Sequence, residues 1–428
     1  MIWGVALVSI FSLLASGVWI GVTLGITGII IMMIWGAGVP LLGGKCWSAL
    51  NVYGLTAVPG FLFMGQVVLR SGLAARIYDT VSPFLARFPG KLLHSNVVVS
   101  GMFAAVFGSS TACAATVGSV AIPELRKRKY DERLVLGSIC VAGTLGLMIP
   151  PSGQFILYGS VANVSVGALF AAGMIPGIMM VVLYMIYIGI KGTISPQIAP
   201  PEKVVPLKDA LRPIIGLWPL IILMIACIGP IYSGLATPTE SAGIGAFASI
   251  IIGSTLGTLR WKTLWECIKE TAKITSLLFF IFLGAMILAT ALSTLGLPRQ
   301  LVNWVGTLPV SPTVILIFIY IMYIILGCFL DGISMMLMTL PFVSPIITNI
   351  GFDALWFGVL LVLVIEIGQV TPPLGVNLFV VQGIAGPRTS ISDVFFGSIP
   401  FLLCTLVVLG IITVAPGIVS WFPNLLGL

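Results

Sequence analysis

Two adjacent prolines, Pro150 and Pro151, interrupt an apolar stretch that would otherwise suit a membrane-spanning helix, GTLGLMIPPSGQFILYG at residues 143–159. Proline cannot donate a backbone hydrogen bond, and it cannot continue a helix without a kink or a break. Inside a membrane no water is present, so the protein itself must satisfy the backbone groups that a break leaves free. The pair therefore predicts a helix that is broken partway across the membrane.

Composition indicates that the rest of the chain also lies in a membrane. Of its 428 residues 59% are hydrophobic and only 8% are charged, with a mean hydropathy of +1.18, whereas soluble domains carry roughly 25% charged residues. Apolar runs of about 20 residues, enough to cross a hydrocarbon core of roughly 30 Å, recur throughout. We expect an all-α polytopic membrane protein in which the scattered net charge of +7 marks loop orientation, not a nucleic-acid surface.

Cysteine and histidine predict no metal or catalytic centre. The seven cysteines are dispersed through apolar segments without a C-x-x-C pair, as is typical of small buried side chains. His94, the only histidine, lies at a predicted loop edge and receives no role. The apolar N-terminus has no basic segment, so it predicts a first span instead of a cleaved signal peptide.

The first half of the chain, residues 1–190, is predicted to contain spans, a hairpin and a broken helix. Its hairpin is expected to be re-entrant, because the arms on either side of GSST at 108–111 are each too short to cross. The predicted elements are spans at about 2–20, 22–38 and 50–69, an amphipathic surface helix within 70–91, a re-entrant hairpin at 92–122, a broken helix at 132–163 and a span at 166–190.

A polar, proline-rich linker at 191–212 precedes a second half, residues 213–428, with the same order of elements. The predicted elements are spans at about 213–232, 239–258 and 272–292, an amphipathic piece at 296–306, a re-entrant hairpin at 312–346, a broken helix at 353–385 and a span at 393–415.

An internal repeat relates the two halves. Sliding the chain by 222 residues places Pro150 and Pro151 on Pro372 and Pro373, and a slide of 224 places Gly72 on Gly296. The 222-residue shift also aligns Pro123 with Pro345, Asp131 with Asp353, Gly146 with Gly368 and Gly153 with Gly375. Matched glycines and prolines indicate a repeated backbone geometry.

Charge predicts that the two repeats are inverted. Residues 87–133 contain seven Lys or Arg, whereas the equivalent residues 309–355 contain none. Basic residues collect in cytoplasmic loops, so the first hairpin is expected to enter from the cytoplasm and the second from outside. The same orientation puts the linker, residues 260–273 and Arg388 on the cytoplasmic side.

Inverted repeats with paired broken helices are typical of secondary transporters, which hold substrate and coupling ions near the middle of the membrane. Carbonyl groups at one broken end can bind Na⁺, and a helix N-terminus favours an anion. The hairpin tips, FGSSTA at 107–112 and FLDGIS at 329–334, are expected to meet the breaks and add hydroxyl or carboxylate oxygens.

Three acids in apolar surroundings are further candidates, because a charge in the membrane is costly. Asp331 lies at the second hairpin tip, Glu240 in ATPTESAG, and Glu366 just before the second break. For Glu240 and Glu366 the alternative is an acid that caps a helix or is paired within the scaffold.

Four segments resemble the large membrane subunit of tripartite ATP-independent periplasmic (TRAP) transporters. The segments are FGSSTACAATVGSVAIPELRKRKYDERL, GTLGLMIPPSGQFILYG, GLATPTESAG and EIGQVTPPLGVNLFV. The resemblance covers essentially the whole chain and implies Na⁺-driven uptake of a small organic anion across a bacterial inner membrane by an elevator motion. It also implies a small four-helix membrane subunit and a soluble periplasmic binding protein as partners. Because no four-span extension precedes residue 1, we expect the small subunit to be a separate chain.

The same resemblance assigns site residues and two or more coupling Na⁺ ions. One Na⁺ site would comprise Ser109, Ser110, Gly146, Met148 and Pro150. Its inverted counterpart would comprise Asp331, Gly332, Gly368 and Thr371. The substrate candidates are Thr111, Ser152, Gln154, Gly375 and Asn377.

Three other functions are alternatives to a transporter subunit. A membrane enzyme needs a nucleophile with a base, an H-E-x-x-H motif or an aspartyl pair, and the sequence offers none of them. An ion channel would also explain re-entrant hairpins, although one hairpin from each side suits alternating access better. A stand-alone Na⁺/carboxylate symporter of similar architecture stays open, as does the substrate: a C4-dicarboxylate, sialic acid or another small carboxylate.

Overall fold

The computed structural model describes residues 2–36, 38–202, 206, 212–257 and 259–428, and over these residues it contains helices and no strand. Part of the predicted linker, 203–205 and 207–211, falls outside the described residues. The first-half helices are α1 (Ile2–Ala15), α2 (Ile20–Trp35), α3 (Leu42–Leu50), α4 (Ala57–Arg70), α5 (Leu73–Leu85), α6 (Leu93–Phe107), α7 (Ser110–Lys127), α8 (Glu132–Ala142), α9 (Leu145–Met148), α10 (Gly153–Ala162) and α11 (Val166–Ile194).

The second half is also helical. Its helices are α12 (Trp218–Tyr232), α13 (Pro238–Thr255), α14 (Trp261–Thr294), α15 (Leu297–Thr307), α16 (Pro312–Gly327), α17 (Gly332–Asn349), α18 (Ala354–Gln369), α19 (Val376–Ala385), α20 (Ile391–Val414) and α21 (Gly417–Leu426). Short 3₁₀ turns lie at Val39–Leu41, Tyr53–Thr56, Pro196–Ile198 and Arg212–Leu217.

Several helices are long and apolar enough to cross a membrane. Among the described residues five pass this test, and two bent pairs raise the number to seven. One bent pair joins Glu132–Met148 to Gly153–Ala162 at 41°, across the first proline pair. The chain is therefore a multi-pass, all-helical membrane protein.

Some helix boundaries differ from the sequence-based expectation. Helix α1 ends at Ala15, short of residue 20, because the chain turns at Gly17 with a φ of +81°. Helix α4 begins at Ala57 and not at 50, after a 52° bend between Val39–Leu50 and Tyr53–Arg70. Helix α14 begins at Trp261 and not at 272, because its first turns are amphipathic and stay helical beyond the apolar segment.

The helices pack in two groups. In the first, α2 packs along α14, and α4 packs between α13 and α14. In the second, called the hairpin group below, the hairpins α6–α7 and α16–α17 pack with the broken helices α8–α10 and α18–α19, and α20 packs along α8. The two groups meet where α4 contacts α6 and where α14 contacts α17.

Close helix crossings in the hairpin group depend on glycine. Helices α8 and α20 cross at Gly137 and Gly397, where a Cβ on Gly397 would overlap the carbonyl of Arg133 and a Cβ on Gly137 would overlap the backbone of Gly397. Small residues at such crossings let backbones approach closely, which compensates for the weak hydrophobic drive between helices in lipid. The crossing fixes the end of the first broken helix against α20.

We expect Gly397→Ala to lower the thermal midpoint of the purified protein, because the added methyl group must push α8 away from α20. Overpacking of this kind costs about 1–3 kcal/mol. Gly410→Ala in the same helix is the matched control, since a Cβ there meets no atom within 4 Å and alanine is the better helix former. Equal midpoints for the two variants in detergent would contradict the crossing.

Candidate functional site

A cavity of about 150 Å³ lies where both hairpin tips and both helix breaks meet α4 and α14. Its polar part comes from the hairpin tips and breaks, and its apolar part comes largely from α4, α10 and α14. It is lined by Val58, Phe61, Leu62, Phe107, Gly108, Ser109, Ser110, Thr111, Leu147, Gly153, Gln154, Ile156, Leu157, Ile274, Leu278, Asp331, Gly332, Ile333, Gln369 and Val376.

Four helices begin at this cavity. Helices α7, α10, α17 and α19 start at Ser110, Gly153, Gly332 and Val376, and all four of these residues line it. The first N–H groups of a helix have no partner within the helix, and its N-terminus carries a partial positive charge. The cavity therefore collects four N-terminal dipoles in one place, which favours negative charge.

Two of the four N-termini are already capped by a side chain. The Ser152 hydroxyl accepts a hydrogen bond from the Phe155 N–H at the start of α10. Asp331 Oδ2 accepts from the N–H groups of Ile333 and Ser334, at 3.2 and 3.0 Å, at the start of α17. The residues before α7 and α19, Ser109 and Gly375, make no such bond, so these two N-termini keep donors available for a ligand.

Charge in the cavity is negative and confined to one side chain. Among its described lining residues, Asp331 is the only charged one, and no Lys, Arg or His is present. Only Oδ2 of Asp331 takes part in hydrogen bonds within the described chain. Oδ1 is therefore available to a cation, while an anion would be held by N–H, hydroxyl and amide donors.

Two glutamines face each other across Gly332. An ideal Cβ on Gly332 would lie 2.5 Å from Nε2 of both Gln154 and Gln369. Gln369 accepts a hydrogen bond of 2.6 Å from the Ser110 hydroxyl, which joins the first hairpin tip to the second broken helix. Gln154 is 1% exposed, and neither its amide oxygen nor its amide nitrogen has a partner in the described structure. A buried amide of this kind needs a hydrogen-bond partner from outside the chain, such as a bound water, ion or ligand.

Each hairpin tip contacts the break of its own half. In the first half, an ideal Cβ on Gly146 would lie 2.9 Å from the Ser109 carbonyl oxygen, and the Ser109 and Thr111 hydroxyls lie 3.2 Å apart. In the second half, the Leu374 N–H donates to the Cys328 carbonyl at 2.9 Å, and Gly368 lies against the backbone of Gly327. Glycine at positions 146 and 368 permits this close approach of tip and break.

The structure brings six of the predicted site residues to the cavity: Ser109, Ser110, Thr111, Gln154, Asp331 and Gly332. Others lie behind its wall and are not among the lining residues: Gly146, Met148, Pro150, Ser152, Gly368, Thr371, Gly375 and Asn377.

Side chains behind the wall form hydrogen bonds within the protein. The Ser152 hydroxyl donates to the Leu147 carbonyl, and the Thr371 hydroxyl donates to the Ile367 carbonyl at 2.7 Å. The Asn377 amide nitrogen donates to the Cys140 carbonyl in α8 at 3.3 Å, while its buried amide oxygen has no partner among the described residues. The Met148 carbonyl oxygen lies beside Gly173 of α11. These residues shape the breaks from behind.

The two other acids lie away from the cavity lining. Glu240 is exposed and forms a capping box with Thr237 at the start of α13, accepting from the Thr237 N–H at 2.8 Å. Glu366 is 1% exposed and accepts from the Thr144 hydroxyl at 3.3 Å, which links the two broken helices. Thr144 and Glu366 are also 222 residues apart, the shift that aligns the proline pairs.

Sequence reasoning did not single out Gln369 or the apolar wall. Gln369 lies in the segment EIGQVTPPLG. The 222-residue shift aligns it with the apolar Leu147, so the internal repeat does not identify it as a site residue. The wall combines Phe61 of α4 with Ile274 and Leu278 of α14. Helices so distant in sequence give no local signal that they share a cavity.

Comparison with known proteins agrees with this architecture. Residues 7–418 match the family model described as the DctM component of the tripartite ATP-independent periplasmic transporter. The C4-dicarboxylate TRAP transporter large permease protein DctM of Pseudomonas aeruginosa is 34% identical, over 95% of each chain. The sialic acid TRAP transporter large permease protein SiaM of Vibrio cholerae is 29% identical, over 91% of this chain and 90% of that protein.

Among solved structures, the YdaH transporter of Alcanivorax borkumensis superposes with a TM-score of 0.63 at 15% identity, covering 89% of this chain and 87% of that one. At this identity the likeness concerns the fold alone. The family match spans nearly the whole chain. The chain therefore belongs to the DctM component family of tripartite ATP-independent periplasmic transporters.

Proposed function

We propose that this protein is the large membrane subunit of a secondary transporter that couples Na⁺ entry to the uptake of a small organic anion. The observation that carries the proposal is the cavity at which four helices begin and Asp331 supplies the only described charge. One site with donors for an anion and an oxygen for a cation suits cotransport.

The anion would bind at the open N-termini of α7 and α19. Their first N–H groups lack side-chain caps, and N-terminal dipoles hold carboxylates without a cationic side chain. The unpaired amide of Gln154 and the hydroxyl of Thr111 would add directional hydrogen bonds. Names of the relatives suggest a C4-dicarboxylate, sialic acid or a similar carboxylate as the substrate.

Coupling follows from the carboxylate of Asp331. An anion entering the cavity is repelled by Asp331 unless a cation neutralises it, so each ligand should raise the affinity for the other to the same degree. Oδ1 of Asp331 and the hydroxyls of Ser109 and Ser110 are hard oxygen donors at the two hairpin tips. We place one Na⁺ at each tip, with carbonyl ligands from 146–150 and 368–371, and expect two or more Na⁺ per anion.

The transport motion would be an elevator built from two inverted repeats. Two correspondences support the repeat. Ser109 precedes α7, and Asp331, 222 residues later, precedes α17. Gly72 precedes α5 with a φ of +67°, and Gly296 precedes α15 with a φ of +68°. Supporting the motion, the cavity lies between the hairpin group and the α4–α14 wall. Sliding the hairpin group along that wall would carry the site across the membrane.

The partners would be those of a tripartite system. We propose a separate small four-helix membrane subunit, a soluble periplasmic binding protein that delivers the anion, and a location in a bacterial inner membrane. A stand-alone symporter is the second candidate, and it differs in needing no binding protein.

The proposal is tested by uptake into proteoliposomes that contain this chain with the proposed small subunit and binding protein, using radiolabelled succinate and sialic acid as probes. We expect uptake to require an inward Na⁺ gradient and to carry net positive charge inward. Two Na⁺ suffice for this with the sialic acid monoanion, whereas the succinate dianion needs a third. Uptake that is unaffected when K⁺ or choline replaces Na⁺ would overturn the proposal, and Na⁺-dependent uptake without the binding protein would favour the stand-alone symporter.

Two aspartates provide a matched pair for the same assay. Asp353 caps α18 by accepting from the Trp356 N–H at 2.8 Å, as Asp331 caps α17, but only Asp331 lines the cavity. Asp331→Asn should therefore lower uptake and weaken its Na⁺ dependence, whereas Asp353→Asn should leave both nearly unchanged, because asparagine caps a helix about as well as aspartate does. An unchanged Na⁺ dependence in Asp331→Asn would remove its carboxylate from the ion site.

The inverted topology makes a separate prediction. Single cysteines at Lys127 and Asn349, both exposed residues at the ends of α7 and α17, should react with a membrane-impermeant maleimide from opposite sides. The background is a variant without the seven native cysteines, and permeabilised cells show full labelling of both sites. Labelling from the same side would mean that the repeats are parallel.

A further inference from the structure

Helix α14 is longer than a membrane requires. It comprises 34 residues, Trp261–Thr294, and spans about 51 Å at about 1.5 Å per residue, against a hydrocarbon core of about 30 Å. All five of its charged residues lie in the first thirteen positions, and none follows Lys273. Its first three turns therefore extend beyond the hydrocarbon core, to the level of the lipid headgroups.

Contacts with the protein fix which face of these turns points outward. Cys267 and Thr271 are buried, and Glu266 forms an ion pair of 3.0 Å with Arg70 at the end of α4. Because Glu266 is neutralised by Arg70, it does not cancel the positive charge on the rest of the segment. The exposed side chains of these turns lie on the opposite face: Trp261, Lys262, Trp265, Ile268, Lys269, Ala272 and Lys273.

The outward face combines large apolar rings with cations. Trp261, Trp265 and Ile268 follow one another at helical spacing and are 80%, 51% and 40% exposed. Beside them are four exposed cations, of which Lys269 lies with its Nζ 5.7 Å above the ring of Trp265. The four cations are Arg260, Lys262, Lys269 and Lys273.

We propose that this face, residues 260–273, binds the headgroups of anionic phospholipids in the cytoplasmic leaflet. Tryptophan prefers the headgroup region of a membrane, and lysine side chains extend along apolar surface to place their charge there. Clustered cations next to a membrane span attract anionic lipids. Glu270 is the one acid on this segment without an ion pair in the described chain, so positive charge prevails. The assignment to the cytoplasmic leaflet rests on the proposed topology, whereas the lipid preference does not.

A protein subunit is the other possible occupant of a helix face, and the charges argue against it here. Four exposed cations around two tryptophans would each need an acidic partner in a protein interface, and an unpaired charge buried there is costly. A bilayer satisfies both groups at once, because its phosphates lie beside the layer in which tryptophan rings settle. The lipid surface therefore accounts for both features with a single ligand.

The experiment measures the thermal midpoint of the purified chain in nanodiscs of phosphatidylcholine alone and of phosphatidylcholine mixed with phosphatidylglycerol in equal parts. We expect phosphatidylglycerol to raise the midpoint of the wild type and the Lys269→Gln/Lys273→Gln variant to lose that gain. The matched control is Lys127→Gln/Lys129→Gln, which removes two exposed cations at the C-terminal end of α7 and just after it and should keep the gain.

A second readout separates lipid binding from a folding defect. Brominated phosphatidylglycerol should quench tryptophan fluorescence of the wild type more than brominated phosphatidylcholine does, and Trp261→Phe/Trp265→Phe should lose this difference. An unchanged phosphatidylglycerol gain in Lys269→Gln/Lys273→Gln, or no gain in the wild type, overturns the proposal. Weaker co-purification of the small subunit with an unchanged lipid gain also overturns it and assigns the face to protein. None of these results depends on transport, so the proposed function is tested separately.

Discussion

The convergence of four helix N-termini on one cavity is the constraint on which the rest of this structure depends. Breaking a helix inside a membrane exposes N–H and carbonyl groups that lipid cannot satisfy. Here the breaks lie against hairpin tips, and two of the four N-termini are capped by Ser152 and Asp331. The other two, at α7 and α19, have no side-chain cap, and we propose that the substrate anion binds there.

Holding those ends in place requires backbones to approach more closely than most side chains allow. Gly146 and Gly368 bring the breaks against the tips, and Gly137 and Gly397 let α8 cross α20. The Ser110–Gln369 and Thr144–Glu366 hydrogen bonds then join the halves across the centre. These polar contacts are few and buried, and they connect elements that are far apart in sequence. A small shift of one half should therefore displace the contacting residues of the other half.

The sequence predicts those features of the fold and the site that depend on residues close together in the chain. Proline pairs, hairpin tips and Asp331 are recognisable within a few residues of sequence, because proline interrupts a helix locally and a charged residue in an apolar segment is costly in a membrane. Gln369 and the α4–α14 wall could not be found that way, since their roles arise from contacts between distant segments. Glu240 shows that a local motif can also mislead. Its segment suggested a functional acid, but Glu240 forms a capping box at an exposed helix end.

The most direct test of the central claim measures the electrostatic potential at the helix ends. A cysteine at Thr111, beside the open N-terminus of α7, would be placed in a cysteine-free background and treated with negatively and positively charged methanethiosulfonates of similar size. Rates normalised to a free thiol should favour the negative reagent, and more so in Na⁺ than in K⁺, as a cation neutralises Asp331. A preference for the positive reagent in both salts would show that Asp331 dominates the cavity and that the N-termini do not form an anion site.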